Sequence, residues 1–125
     1  MVDRQFKRLG EGTYVCYLNR IVRGVTKTGK PRVSIAYRVA EGPDRGEFVW
    51  DNVTTQSDTG FEILSKKLTA LMPELSPTFS PENLKGDNLD LVVASVVSCT
   101  KDFRYKVDVR PGRTEGFFNV YATRL

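Results

Sequence analysis

The sequence predicts one all-β domain of five antiparallel strands, with a single helix between the third and the fourth. Three observations predict it. Segments rich in β-branched and aromatic side chains recur along the chain, and several alternate apolar with polar residues at a period of two. Only one stretch joins helical spacing to a capping signal. The 125 residues, 40% hydrophobic and 27% charged, suit a single domain spanning residues 1–125.

Residues 13–23 are dense in β-branched and aromatic side chains, and their imperfect alternation predicts a long first strand, bent or bulged partway. Gly24 and Thr26-Lys27-Thr28-Gly29-Lys30-Pro31 form a turn of basic character. In residues 32–40, Val33, Ile35, Tyr37 and Val39 share one face, while Arg32, Ser34, Ala36 and Arg38 share the other. That contrast predicts a half-buried second strand with Tyr37 in the core. Residues 41–46 turn into a third strand over 47–54, which holds Phe48, Val49, Trp50 and Val53.

Thr59 and Glu62 have capping-box spacing, and Phe61, Leu64, Leu68 and Leu71 then trace one apolar stripe, with Lys66 and Lys67 turned outward. Pro73 ends this helix and opens an irregular connector through residue 87, where Ser80–Lys85 fits a short helical turn with Pro81 in first position. The apolar run 89–100 predicts the fourth strand. Residues 103–109 alternate as an extended hairpin, Arg110-Pro111-Gly112-Arg113 turns, and 117–124 form the last strand.

Antiparallel strands in a small domain must hide their edges, and barrel closure does so. With its helix between strands 3 and 4, this order is that of the OB-fold, a five-stranded barrel. An open sandwich with the helix packed on one sheet is the competing arrangement.

The chain has no histidine, which removes Ser-His-Asp and Cys-His catalysis and most zinc sites. Asp44, Glu47, Asp51 and Asp58 lack any recognised magnesium-ligand spacing, so the expectation is no catalytic residue, no metal and no cofactor. Cys16 and Cys99, on strands 1 and 4, are expected to be neighbouring, buried and reduced. No apolar run is long enough to span a membrane and the N-terminus lacks a secretory core, which points to a cytoplasm.

Charge is segregated along the chain. Between Glu11 and Glu41 there is no acidic residue, but Arg20, Arg23, Lys27, Lys30, Arg32 and Arg38 are present. A second group, Lys101, Arg104, Lys106, Arg110 and Arg113, is diluted only by Asp102 and Asp108. On an OB-fold these groups fall on strand 2 and on the loops joining strands 1–2 and 4–5, where such barrels take nucleic acid. Phosphates need these cations, and bases need aromatic faces. Phe103 and Tyr105 stand beside the second group as stacking candidates. Trp50 stacks outward if Val49 and Val53 point inward; in the opposite register, Asp51 and Glu47 face out and repel phosphate. The acids of strand 3 place the expected track nearer strand 2 and the two loops.

Gly12-Thr13-Tyr14-Val15, Lys27-Thr28-Gly29-Lys30, Val39-Ala40-Glu41-Gly42, Arg45-Gly46 and Trp50-Asp51-Asn52-Val53 resemble a family of small phage-encoded OB-fold proteins, a domain family of unknown function. Asn83-Leu84-Lys85-Gly86 and Phe118-Asn119-Val120 are similar to it as well, so the likeness covers roughly residues 10–123. The long Phe103–Arg113 segment departs from the pattern. The resemblance implies single-stranded DNA binding in phage replication or recombination, in the cytoplasm of an infected bacterium. It also implies a phage or host replication or recombination protein as partner, and leaves a homodimer open. The rival function is a phage protein-interaction module that inhibits a host nucleic-acid-processing enzyme.

Overall fold

The structure, a computed structural model, describes residues 9–75, 80–112 and 118–125. Its strands are β1 (Gly12–Val25), β2 (Pro31–Val39), β3 (Phe48–Thr54), β4 (Tyr105–Pro111) and β5 (Phe118–Arg124). Two helices, α1 (Asp58–Leu71) and α2 (Asn88–Cys99), lie between β3 and β4, with 3-10 turns at Pro73–Leu75 and Pro81–Leu84. The strands make one antiparallel sheet in the order β3-β2-β1-β4-β5. Its two edges, β3 and β5, approach one another without a hydrogen-bonded ladder, so the sheet is open there. Among the described residues no helix is long and apolar enough to cross a membrane.

The first three strands follow the sequence reading in position, including the irregularity in β1, but β2 is not half-buried: its outer positions Ser34 and Ala36 are 2% and 0% exposed, covered by side chains of the neighbouring strands. Pairing with β2 steps from Leu18↔Tyr37 to Arg20↔Ala36, which leaves Asn19 as the extra residue of a bulge. The bulge inverts the strand's parity: Cys16 and Leu18 are buried, whereas Arg20, which would otherwise share their face, stands outside. Inner positions of the sheet, among them Val33, Ile35, Tyr37, Val49, Val53, Tyr105, Val107 and Val120, meet Leu64, Leu68 and Leu71 of α1 in one core.

The run 89–100 is a helix, not the predicted fourth strand. β-branched residues favour strands, but Leu89, Val93 and Val96 recur at i, i+4 and i+7 and are buried together, while Asp90, Ala94, Ser95 and Ser98 face solvent. Packing of that stripe against β1 and Leu84 outweighs the propensity of single residues. Two consequences follow. The segment 103–109 is not a hairpin, since its residues from Tyr105 on belong to β4, paired between β1 and β5. Cys99 sits exposed at the end of α2, not on a strand beside buried Cys16.

The helix α1 starts before the expected capping box: Ser57 is its N-cap, with its hydroxyl accepting from the Gly60 amide at 3.4 Å. Gly60 packs so closely on β3 that a Cβ there would overlap the Thr54 carbonyl oxygen. At the other end of α1, the Tyr105 hydroxyl donates to the Leu71 carbonyl at 2.6 Å.

Lys67 does not point into open solvent. Its ammonium meets the Asp51 carboxylate of β3 at 2.8 Å and donates to the Val120 carbonyl of β5 at 2.9 Å. One side chain of α1 thus bridges the two unpaired sheet edges.

Candidate nucleic-acid interface

Register fixes which side chains share the outer surface of the sheet. Val49, Asp51 and Val53 of β3 are buried, so Phe48, Trp50, Asn52 and Thr54 face out, and Trp50 is 42% exposed. The Arg20↔Ala36 and Ala36↔Trp50 pairings form one row across β1, β2 and β3. Only the methyl of Ala36 stands between its neighbours, and the Arg20 guanidinium reaches across it to lie 5.5 Å from the Trp50 ring centroid.

The adjacent row alternates cation and ring. Tyr17 pairs with Arg38, and Arg38 with Phe48. Arg38 lies 5.3 Å from the Phe48 centroid, and Arg104, just before β4, lies 5.3 Å from that of Tyr17. Arg38 is held by its Nε, which donates to the Gly46 carbonyl at 3.3 Å. Phe48 and Trp50 stack on each other with centroids 6.1 Å apart and planes inclined by 27°. Lys106 and Arg110 extend the surface over β4 as exposed alternate residues. Cations over ring faces position both groups without using up the second face of the ring.

The one carboxylate among these outward positions of β1–β4 is Asp108, which accepts from the Thr13 hydroxyl at 2.6 Å. Asp51 is not part of the surface. It is 7% exposed, and burial lifts its carboxyl above the ordinary 3.8, while the charge and hydrogen bond of Lys67 oppose that lift without cancelling it. This corrects the expectation that strand 3 is electrostatically unhelpful at that position, because the inward register removes the carboxylate from the outer face.

The remaining candidates divide. Arg32 shares the outer face but folds over Gly24. Lys27 and Lys30 are exposed at the β1–β2 hairpin tip, where Thr26 N donates to the Lys30 carbonyl at 2.8 Å and Gly29 takes a φ of +82°. Lys101 and Arg20 flank a shallow depression of about 360 Å³ floored by Ile21, Val93 and Val97. Arg23 turns to α2 and pairs with Asp90 at 3.1 Å. Arg113 lies outside the described residues.

Two stacking candidates are corrected. Tyr105 is 0% exposed, because it occupies an inward position of β4 beneath α1. Phe103 is half-buried against the core with the Arg124 guanidinium 3.8 Å from its ring centroid. The second basic group also lies elsewhere than expected: with α2 in place of a strand, Lys101 and Arg104 border the α2–β4 connection, and Lys106 and Arg110 are on β4.

Tyr17 went unrecognised as a site residue, since the bulge at Asn19 hides the parity of β1. Its signal was the alternation before the bulge, where Val15 and Tyr17 oppose Cys16 and Leu18. Of the acids, Asp51 pairs with Lys67 and Asp58 with Lys85, and among the described residues no three His, Cys, Asp or Glu side chains lie together. Compared with models of protein families the sequence matches none, and compared with curated proteins it matches none.

Proposed function

We propose that this chain is an OB-type barrel that binds single-stranded DNA with little sequence preference, on the outer face of β1, β2, β3 and the start of β4. The observation that carries the reading is the interleaved surface of Trp50, Phe48 and Tyr17 with Arg20, Arg38 and Arg104. Single-strand binding asks for rings that accept any base and cations that follow the phosphates, whereas the bases of a duplex stay stacked on one another and offer such rings few faces. Lys27, Lys30, Lys106 and Arg110 lengthen the cationic path at its two ends.

The strand order supports the barrel reading. Read as a cycle, β3-β2-β1-β4-β5 closes into the OB arrangement once β3 meets β5, and Lys67 already spans that gap. On this reading the protein acts by binding, without catalysis or cofactor, in phage replication or recombination within the bacterial cytoplasm.

Fluorescence anisotropy with labelled oligo-dT at two salt concentrations tests the proposal. The expected result is binding whose log K falls against log[salt] with a slope of roughly −2 to −3.5, for about three to five phosphates neutralised. Absence of binding at low salt would overturn it and favour the inhibitor module.

A further inference from the structure

The open seam between β3 and β5 is a cleft of about 510 Å³ that the outer-face site does not use. From the chemistry of its walls we infer that it is a pocket for one nucleobase, at the end of the strand path. The inference rests on the single-strand reading above and adds to it a second kind of contact, with a base edge instead of a ring face alone.

The first argument is charge. Lys67 and Asp51 form the floor, and each neutralises the other at 2.8 Å. A free phosphate would face the Asp51 carboxylate beside the ammonium it sought, so the walls suit a neutral ligand. The second is hydrogen bonding. Gln56 and Asn119 bring side-chain amides with both donor and acceptor atoms to the cleft, which Asn52 also lines. The unpaired edges of β3 and β5 add backbone donors and acceptors in alternation, the pattern that a base edge also carries.

The third argument is shape and connection. Tyr121 is 52% exposed and lines the cleft, with the Lys67 ammonium 5.8 Å from its ring centroid. Ile63, 44% exposed, forms part of the opposing α1 wall. Such a ring and such an aliphatic wall suit the two faces of a planar ligand. Asn52 joins the cleft to the outer face, where it lies one alternate position along β3 from Trp50. Its Oδ1 accepts from the Ser34 hydroxyl of β2 at 2.6 Å, which ties its side chain to the outer face. A strand stacked on Trp50 therefore needs only to turn over the β3 edge to place its next base in the seam.

The experiment is an amide NMR titration of the full chain with thymidine, which carries a base and no phosphate, and with deoxyribose 5-phosphate, which carries the reverse. Thymidine is expected to shift the backbone amides of residues 119–121 and the side-chain amides of Asn52, Gln56 and Asn119, and the sugar phosphate to leave them in place. Tyr121→Ala should weaken the thymidine response at these amides at least fivefold, and Leu91→Ala, on the exposed face of α2, less than twofold. No shift in the seam up to the solubility of thymidine, equal shifts with deoxyribose 5-phosphate, or no effect of Tyr121→Ala would each overturn the inference. The two readings fail separately: oligo-dT that does not bind at low salt removes the outer-face function whatever thymidine does at the seam.

Discussion

Replacing Trp50 with alanine isolates the stacking contribution from the electrostatic one. The indole is 42% exposed, with the Arg20 guanidinium 5.5 Å from its centroid and the Phe48 ring stacked beside it at 6.1 Å, and the exposed part of the ring is offered to one base. Loss of one base–aromatic stack costs about 1–3 kcal/mol, which is roughly 5- to 150-fold in Kd. No charge is removed, so the slope of log K against log[salt] should stay as in the unaltered protein. Stability should fall modestly, by about 1–2 kcal/mol, since the residue lies outside the core and loses its contacts with Arg20 and Phe48. Anisotropy with labelled oligo-dT at several salt concentrations, beside a thermal melt, measures all three. A variant that folds normally and binds oligo-dT as tightly as the parent would refute the reasoning that Trp50 is a platform.

Three further outcomes concern the scaffold. Gly60→Ala sets a Cβ against the Thr54 carbonyl, and backbone cannot swing aside as a side chain can; denaturant unfolding should show a loss of about 1–3 kcal/mol. Asp51 sets a pH dependence of unusual sign: its folded carboxyl keeps its proton above the ordinary 3.8, so the native state binds more protons than the unfolded state across that interval. Stability from this group is therefore fullest at low pH and declines as pH rises through the folded value. Urea unfolding from pH 4 to pH 7 should show that decline in the parent and a flatter profile in Asp51→Asn. The Cys16 thiol, buried and pushed up to about 12, should resist a thiol reagent at pH 8 until the chain is denatured, whereas exposed Cys99 reacts in the native state.

Where local pattern and tertiary burial agree, the sequence was readable. Val33, Ile35, Tyr37 and Val39 alternate because one face of β2 meets the core, and Leu64, Leu68 and Leu71 repeat because one face of α1 does, while the burial of Ser34 and Ala36 on the other face of β2 has no local sign. The apolar run of α2 was ambiguous, because valine-rich segments of a dozen residues carry strand propensity even when their buried positions follow a helical period. That error moved the second basic group onto a loop and turned Tyr105 into a stacking candidate. In β3 the two faces were legible but not which one turns outward, since either Val49 and Val53 or Phe48 and Trp50 suit a core, and packing buries the valines. Tyr17 was obscured because the bulge breaks the alternation that marks its face, and Lys67 and the seam were not legible, since a helix rotation and an unpaired edge are products of packing with no local signature.

The chain holds a single tryptophan, so intrinsic fluorescence reports on Trp50 alone. Titration of the native protein with single-stranded oligo-dT at low salt should quench that emission saturably, with matched duplex producing little change, and the quenching midpoint should shift to higher DNA concentration as salt is added. Emission that ignores single strands, or that responds equally to duplex, would contradict the assignment of this face to single-stranded DNA.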